Sequence, residues 1–172
     1  MNLSALKELL PGGLPPEKIY YRVVNSHYAQ EIDEITHTMH YSWRYNPSGE
    51  FGVLYLSSSA NCAFQEKLRQ VNGRKEDLPL QAAGRFRVKL NCLDLTDRKT
   101  LKILEVNPLQ LIDRRDFTTT QNISREARKL GFEGIAAASA IGEECHTLVV
   151  FKDKLNPPSY CRLLDVNTFQ PV

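Results

Sequence analysis

Long apolar runs are missing from this chain. No stretch approaches the roughly 20 consecutive apolar residues that a membrane-spanning helix requires, so no such helix is expected. The apolar stretch Leu3–Leu10 has no basic segment before it and no small-residue cleavage site behind it. A signal peptide is not expected, and the expected compartment is the cytoplasm. Excess charge of one sign is also missing: 22 Lys and Arg stand against 20 Asp and Glu, a net of +2. That balance gives no electrostatic case for direct nucleic-acid binding. The run Asp113-Arg114-Arg115-Asp116 neutralises itself and reads as a solvated loop. The four cysteines, Cys62, Cys92, Cys145 and Cys161, contain no CxxC pair, and zinc-ligand spacing is absent. In the cytoplasm they are expected as reduced, mostly buried thiols. His37 and His40 lie at i and i+3 but lack an acidic partner at useful spacing, so no metal is expected. There is no GxGxxG and no GK[ST] loop, which argues against a dinucleotide redox fold and an NTPase.

What is present is an ordinary globular composition, with 42% apolar and 24% charged residues over 172 positions. That length supports one domain with a proper core. Residues 1–16 read as a lead-in helix and linker. Ser4 is the cap candidate, Leu3, Leu6, Leu9 and Leu10 share one side, and the cluster Pro11 to Pro16 ends the segment. Residues 17–172 form the domain.

Ile19–Val24 is rich in aromatic and β-branched residues and predicts a first strand, with Arg22 inside it. A helix over 29–35 followed by a loop is expected, and 70–80 reads as a loop. Gly84–Leu93 alternates, with Phe86, Val88 and Leu90 on one side and Arg85, Arg87 and Lys89 on the other, as a half-buried strand does. Asp94–Asp97 reads as a turn, and short elements follow at Thr100–Leu104 and Leu109–Ile112. Thr118–Thr120 precede a helix over Gln121–Leu130, stopped by Gly131. Strands are then expected at Phe132–Ala140, Thr147–Phe151 and Tyr160–Val166, the last followed by a short tail. Short strands with few helices between them point to an α+β fold. Tyr20, Tyr21, Tyr41 and Phe64 read as core aromatics.

The stretch Trp43–Leu68 organises the rest. Asn46-Pro47-Ser48-Gly49 is a strong turn cluster just after Arg44. A short apolar strand over Gly52–Leu56 carries Tyr55. Ser57, Ser58 and Ser59 are N-cap candidates for the helix that carries Glu66. A cation, a phenol, hydroxyls and a carboxylate thus lie along one turn–strand–helix unit. Taken alone, Glu66 reads as a surface acid that complements the helix dipole.

The order of these segments resembles the RES domain family, toxins of bacterial toxin–antitoxin pairs with a fold similar to ADP-ribosyltransferases. The resemblance rests on Tyr21-Arg22, Arg44-Tyr45-Asn46-Pro47-Ser48-Gly49, Val53-Leu54-Tyr55-Leu56-Ser57, Ala63-Phe64-Gln65-Glu66, Leu130–Ile135 leading into Ser139-Ala140, and Thr147–Phe151 followed by Asn156-Pro157. It covers residues 20 to 157. Ser42-Trp43 and Ala138 depart from the family, which has two glycines and a proline there. The resemblance implies a mixed or antiparallel split sheet with a few flanking helices. It also implies NAD as substrate, cleaved between nicotinamide and ribose with water or phosphate as acceptor, and a cognate antitoxin of the helix-turn-helix, Xre type. Glu66 and Arg22 are then the catalytic candidates. Arg44, Asn46, Tyr55 and Ser139 are the substrate-binding ones. A mono-ADP-ribosyltransferase acting on a macromolecule, or a non-catalytic binding module on the same scaffold, is the alternative.

Overall fold

A computed structural model describes residues 1–10 and 14–170. The strands are β1 (Lys18–Asn25), β2 (Leu54–Ser57), β3 (Gln81–Lys89), β4 (Cys92–Asp94), β5 (Gly134–Ala138), β6 (His146–Val150) and β7 (Tyr160–Phe169). They form one sheet in the order β4-β5-β6-β2-β1-β3-β7. The helices are α1 (Thr36–His40), α2 (Ala60–Gln70), α3 (Arg98–Ile103), α4 (Pro108–Leu111) and α5 (Thr118–Lys129). Only β4 and β5 run parallel; the other neighbours are antiparallel.

The sheet divides in the middle. β1 and β2 share the single pair Tyr21↔Ser57. β1 and β3, in contrast, are paired from Lys18↔Val88 to Asn25↔Gln81, and β2 and β6 from Leu54↔Val150 to Ser57↔Thr147. This is the α+β, mixed and split sheet expected from the sequence. Strand alternation decides what each face covers. Val53, Ile135, Ala137 and Val149 pack under Ile123 and Ala127 of α5, Leu101 of α3 and Leu111 of α4. Leu54, Leu56, Leu148 and Val150 turn the other way and meet Phe86, Val88 and Ile32 across the division. A third cluster seats α2 on β1, through Val23, Ala63 and Phe64.

The alternation read in β3 holds: Phe86, Val88 and Leu90 are buried, and Arg85 and Arg87 are exposed. Other expectations are corrected. Residues 29–35 do not make a helix. The chain forms a 3-10 turn over Ser26–Glu31 and begins α1 only at Thr36. The Arg22 guanidinium takes the carbonyls of Ile32 and Glu34, at 3.0 and 3.2 Å, which removes them from any helical ladder. Thr118–Thr120 form the first turn of α5 instead of preceding it. Cys92–Asp94 is a strand, because its residues pair with Gly134–Ala136 of β5, and Asp97 then caps α3. β7 continues to Phe169. Tyr41 is not a core aromatic: it is 54% exposed, whereas Phe64 is buried.

The lead-in Leu3–Leu9 is a 3-10 helix with no side-chain cap bond from Ser4; it docks through Ala5 and Leu6 on the α5 core. The break expected at Pro11–Pro16 falls partly on residues 11–13, and the tail reaches 171–172; both stretches lie outside the described residues. The reduced-thiol expectation fails for one pair. Cys62, in the first turn of α2, and Cys145, just before β6, form a disulfide across 83 residues. Helix packing and strand pairing bring their Cα atoms to 5.7 Å, which sequence spacing does not reveal. Cys92 and Cys161 are free and half-buried, and burial pushes their thiols up to about 11 and about 12.

Gly134 gives a test of this packing. A Cβ there would lie 2.5 Å from the Val149 carbonyl, a backbone atom that cannot swing aside. Gly134→Ala should therefore cost about 1–3 kcal/mol of stability in thermal or denaturant unfolding. Gly142→Ala, with open space around its Cβ, should cost far less.

Candidate active site

The site begins where β2 ends. Ser59 caps α2 by accepting from Cys62 N at 3.0 Å, as a serine N-cap should. Ser58 turns to the neighbouring strand: its hydroxyl accepts from His146 N at 3.1 Å. The cap fixes where α2 starts, and Ala63 and Phe64 fix which side it buries. Glu66 then projects, half-buried, towards the loop after β5. There the Ser139 hydroxyl donates a hydrogen bond to Glu66 Oε1. Ser139 is itself held, since its N donates to Cys145 O at 3.0 Å and its hydroxyl accepts from Ile141 N at 3.2 Å. The Cys62–Cys145 disulfide ties the loop carrying Ser139 to the helix carrying Glu66.

The Arg44 turn forms a second wall. Asn46 is fully buried and all its amide atoms are used. Its Nδ2 donates to the carbonyls of Thr38 and Tyr41, the latter at 2.9 Å, and its Oδ1 accepts from the Tyr55 hydroxyl at 3.0 Å. The same hydroxyl accepts from Tyr45 N at 2.9 Å. Burial holds the Tyr55 phenol far above its ordinary range, so it stays a donor at any physiological pH. Asn46 and Tyr55 are therefore the fastening of the turn on β2. Asn46 has no atom left for a ligand, which corrects its expected role as a direct substrate contact. Two residues of α5 that sequence reasoning passed over complete the fastening. Gln121 Nε2 donates to Ser42 Oγ and Trp43 O, both at 2.8 Å, and the Thr120 hydroxyl donates to Arg44 O.

So fastened, Arg44 reaches the loop after α4. Its Nη2 donates to Asp113 O at 2.9 Å and Ile112 O at 3.3 Å, and its guanidinium lies 5.8 Å from the Phe117 ring centre. Arg69 stands one turn after Glu66 on α2. Burial, then the charges of Arg114 and Arg44, lower its pKa, and the Glu66 carboxylate opposes them. Among these residues the direct contact is that of Ser139 with Glu66.

Arg22 lies near the same helix, since its charge, after burial, lowers the pKa of Lys67, the residue that follows Glu66. Arg22 pairs with Gly84, and the space above Gly84 is filled by Ile32 and Phe86. Its side chain leaves β1 on that face, together with Tyr20 and Val24, while α2 covers the opposite face through Val23. Burial lowers the Arg22 pKa, and Asp33 partly offsets this. Its guanidinium donates to the carbonyls of Ile32 and Glu34. Among the described residues no group of three or more His, Cys, Asp or Glu side chains is arranged to hold a metal ion, and no helix is long and apolar enough to cross a membrane.

The RES domain model matches residues 19–163. The chain belongs to the RES domain family. A probable NAD(+) phosphorylase of Mycobacterium tuberculosis is 38% identical over 111 residues, 63% of this chain and 52% of that protein. The chain thus matches about half the length of this curated relative. The RES fold here also superposes on a chain of the M. tuberculosis MbcT–MbcA toxin–antitoxin complex with a TM-score of 0.81. That match covers 98% of this chain and 92% of the other at 19% identity, a likeness of fold.

Two outcomes follow from the geometry. Tyr55→Phe removes the acceptor of Tyr45 N and the donor to Asn46, and should cost about 1–3 kcal/mol in denaturant unfolding. Reducing the Cys62–Cys145 bridge should cost about 2–4 kcal/mol, seen as a lower melting temperature in reductant and reproduced by Cys62→Ser without it.

Proposed function

We propose that this RES-family protein degrades NAD by breaking the nicotinamide–ribose bond, with phosphate or water as acceptor. It acts as the toxin of a toxin–antitoxin pair in the cytoplasm. The observation that carries this reading is the Ser139-held carboxylate of Glu66 on α2. The name of the M. tuberculosis relative, an NAD(+) phosphorylase, supports the substrate, and the toxin–antitoxin complex supports the partner, a cognate antitoxin of helix-turn-helix type.

The chemistry runs as follows. The C–N bond breaks and its electron pair passes to the nicotinamide nitrogen, which neutralises the pyridinium. Positive charge builds on the ribose carbon. The Glu66 carboxylate stabilises that oxocarbenium-like state. The Ser139 hydroxyl fixes one carboxylate oxygen and leaves the other for the ribose hydroxyls. A phosphate or water oxygen then bonds to the same carbon. Arg44 holds the diphosphate, where paired guanidinium hydrogen bonds serve better than an ammonium. Asn46 and Tyr55 hold the Arg44 turn, and Arg22 braces the sheet behind. Charge is supplied by side chains, and the reading calls for no metal.

The test is purified protein with NAD, with and without phosphate, products read by mass. Nicotinamide should be released, with ADP-ribose 1-phosphate or ADP-ribose as the second product. Glu66→Gln should lower the rate by about a hundredfold or more. Equal NAD loss by wild type and Glu66→Gln rejects the reading. Label from NAD appearing on a macromolecule favours the ADP-ribosyltransferase alternative.

A further inference from the structure

The loop between β5 and β6 meets the start of α2 through few polar or covalent links among the described residues. Ser58 N donates to His146 O at 2.9 Å, and His146 N donates to the Ser58 hydroxyl at 3.1 Å. The Ser139 hydroxyl donates to Glu66 Oε1. The remaining link is the Cys62–Cys145 disulfide. The other bonds of Ser139 stay inside its own loop. Its N donates to Cys145 O at 3.0 Å, and its hydroxyl accepts from Ile141 N at 3.2 Å. Cys145 N in turn donates to Gly142 O at 3.1 Å. These bonds shape the loop and do not place it against α2.

The bridge supplies the placement. Cys62 and Glu66 stand at i and i+4 on α2, so sulfur and carboxylate share one face of the helix. Across the bridge, Cys145 is the residue whose carbonyl receives Ser139 N. Glu66 and Ser139 are thus joined by a helical turn, a covalent bond and a backbone hydrogen bond. The Ser139–Glu66 hydrogen bond competes with water, because Glu66 is only half-buried; the covalent link does not. The Arg44 turn is held by other means. Tyr55, Gln121 and Thr120 fasten it, and none of their bonds involves Cys62 or the 139–145 loop. Cys62 and Cys145 are 8% and 9% exposed, so a reductant reaches the bridge once the exposed turn Gly142–Glu144 moves. Cys92 and Cys161 are free and pack in another cluster, so a reductant has nothing to break there.

We propose that Cys62 and Cys145 are a redox-controlled positioning pair: the intact bridge holds Ser139 on Glu66, and its reduction lowers turnover while leaving NAD binding in place. The proposal rests on the NAD-cleaving reading and deepens it by giving the acid a control. The step is thiol–disulfide exchange with a dithiol, the class of reductant that keeps cytoplasmic cysteines reduced. One thiolate of the dithiol attacks a bridge sulfur, the S–S bond breaks, and a mixed disulfide forms. The second thiol of the reductant then displaces the chain. Two electrons and two protons pass to Cys62 and Cys145, and the reductant leaves as its own disulfide. The freed loop no longer keeps the serine on the carboxylate.

The test compares the full chain with and without dithiothreitol, at a temperature where circular dichroism shows both forms folded. Reduction should lower kcat for NAD about ten- to hundredfold and change KM by less than about threefold. The double variant Cys62→Ala, Cys145→Ala should have the low kcat with or without the dithiol. In Ser139→Ala, already slow, reduction should lower kcat no further, because the bridge acts through that serine. A bridge with a structural role alone would lower it by the same factor again, and that result overturns the proposal. Amide hydrogen exchange gives a second readout. Ser139 and Ile141 should exchange at least about tenfold faster after reduction, while Tyr45, whose N donates to the Tyr55 hydroxyl, should not change. Equal kcat in the two forms, a rise in KM alone, or four free thiols in the untreated chain each overturns the proposal. So does unfolding on reduction at every assay temperature, since the bridge is then a staple of the fold. If the bridged wild type consumes no NAD, the functional reading fails by itself. The Ser139 amide then decides the positioning role: faster exchange after reduction upholds it, and unchanged exchange overturns it.

Discussion

The buried amide of Asn46 is the constraint on which the site depends. A primary amide sealed from water has to find partners for its donors and its acceptor, or the fold bears the desolvation cost of each one left open. Here the partners are two carbonyls from the Thr38–Tyr41 stretch and the Tyr55 hydroxyl of β2. That requirement holds the turn against the sheet, and Arg44, two residues earlier, inherits its position. Gln121 and Thr120 grip the same turn from α5, so one short loop is fixed by three elements. The reach of a guanidinium toward a ligand is thereby decided by residues that need not touch the ligand.

The second wall is fixed differently. It depends on strand order: β6 lies between β5 and β2, so the loop after β5 arrives beside the start of α2. Ser139 meets Glu66 there, and the Cys62–Cys145 bridge fixes the same junction covalently. Hydrogen bonds position the Arg44 turn, and a covalent staple positions the junction of Ser139 and Glu66.

Much of the scaffold was legible in the sequence because strand signals are local. Ile19–Val24, Thr147–Phe151 and the alternating run ending at Leu90 carried their β-branched residues and period of two in plain view. The helix of Glu66 was legible from its serine cap. The face on which Arg22 lies was not. Period two separates Arg22 from Tyr21, but which side α2 covers is decided by Val23 meeting Ala63 and Phe64, a contact between distant segments. The disulfide was illegible for the same reason, since 83 residues separate its ends.

The division of the sheet has a consequence for how the protein comes into being. β1 finds β3 within the first ninety or so positions of the chain, and α2 is seated on that half early. β2, synthesised before β3, has to wait for β6 to cover its Leu54 and Leu56. At about 5–20 residues per second on the ribosome, that wait lasts several seconds. Glu66 is synthesised well before Ser139, so their junction forms only once β5 has emerged, and β7 closes the opposite edge after it.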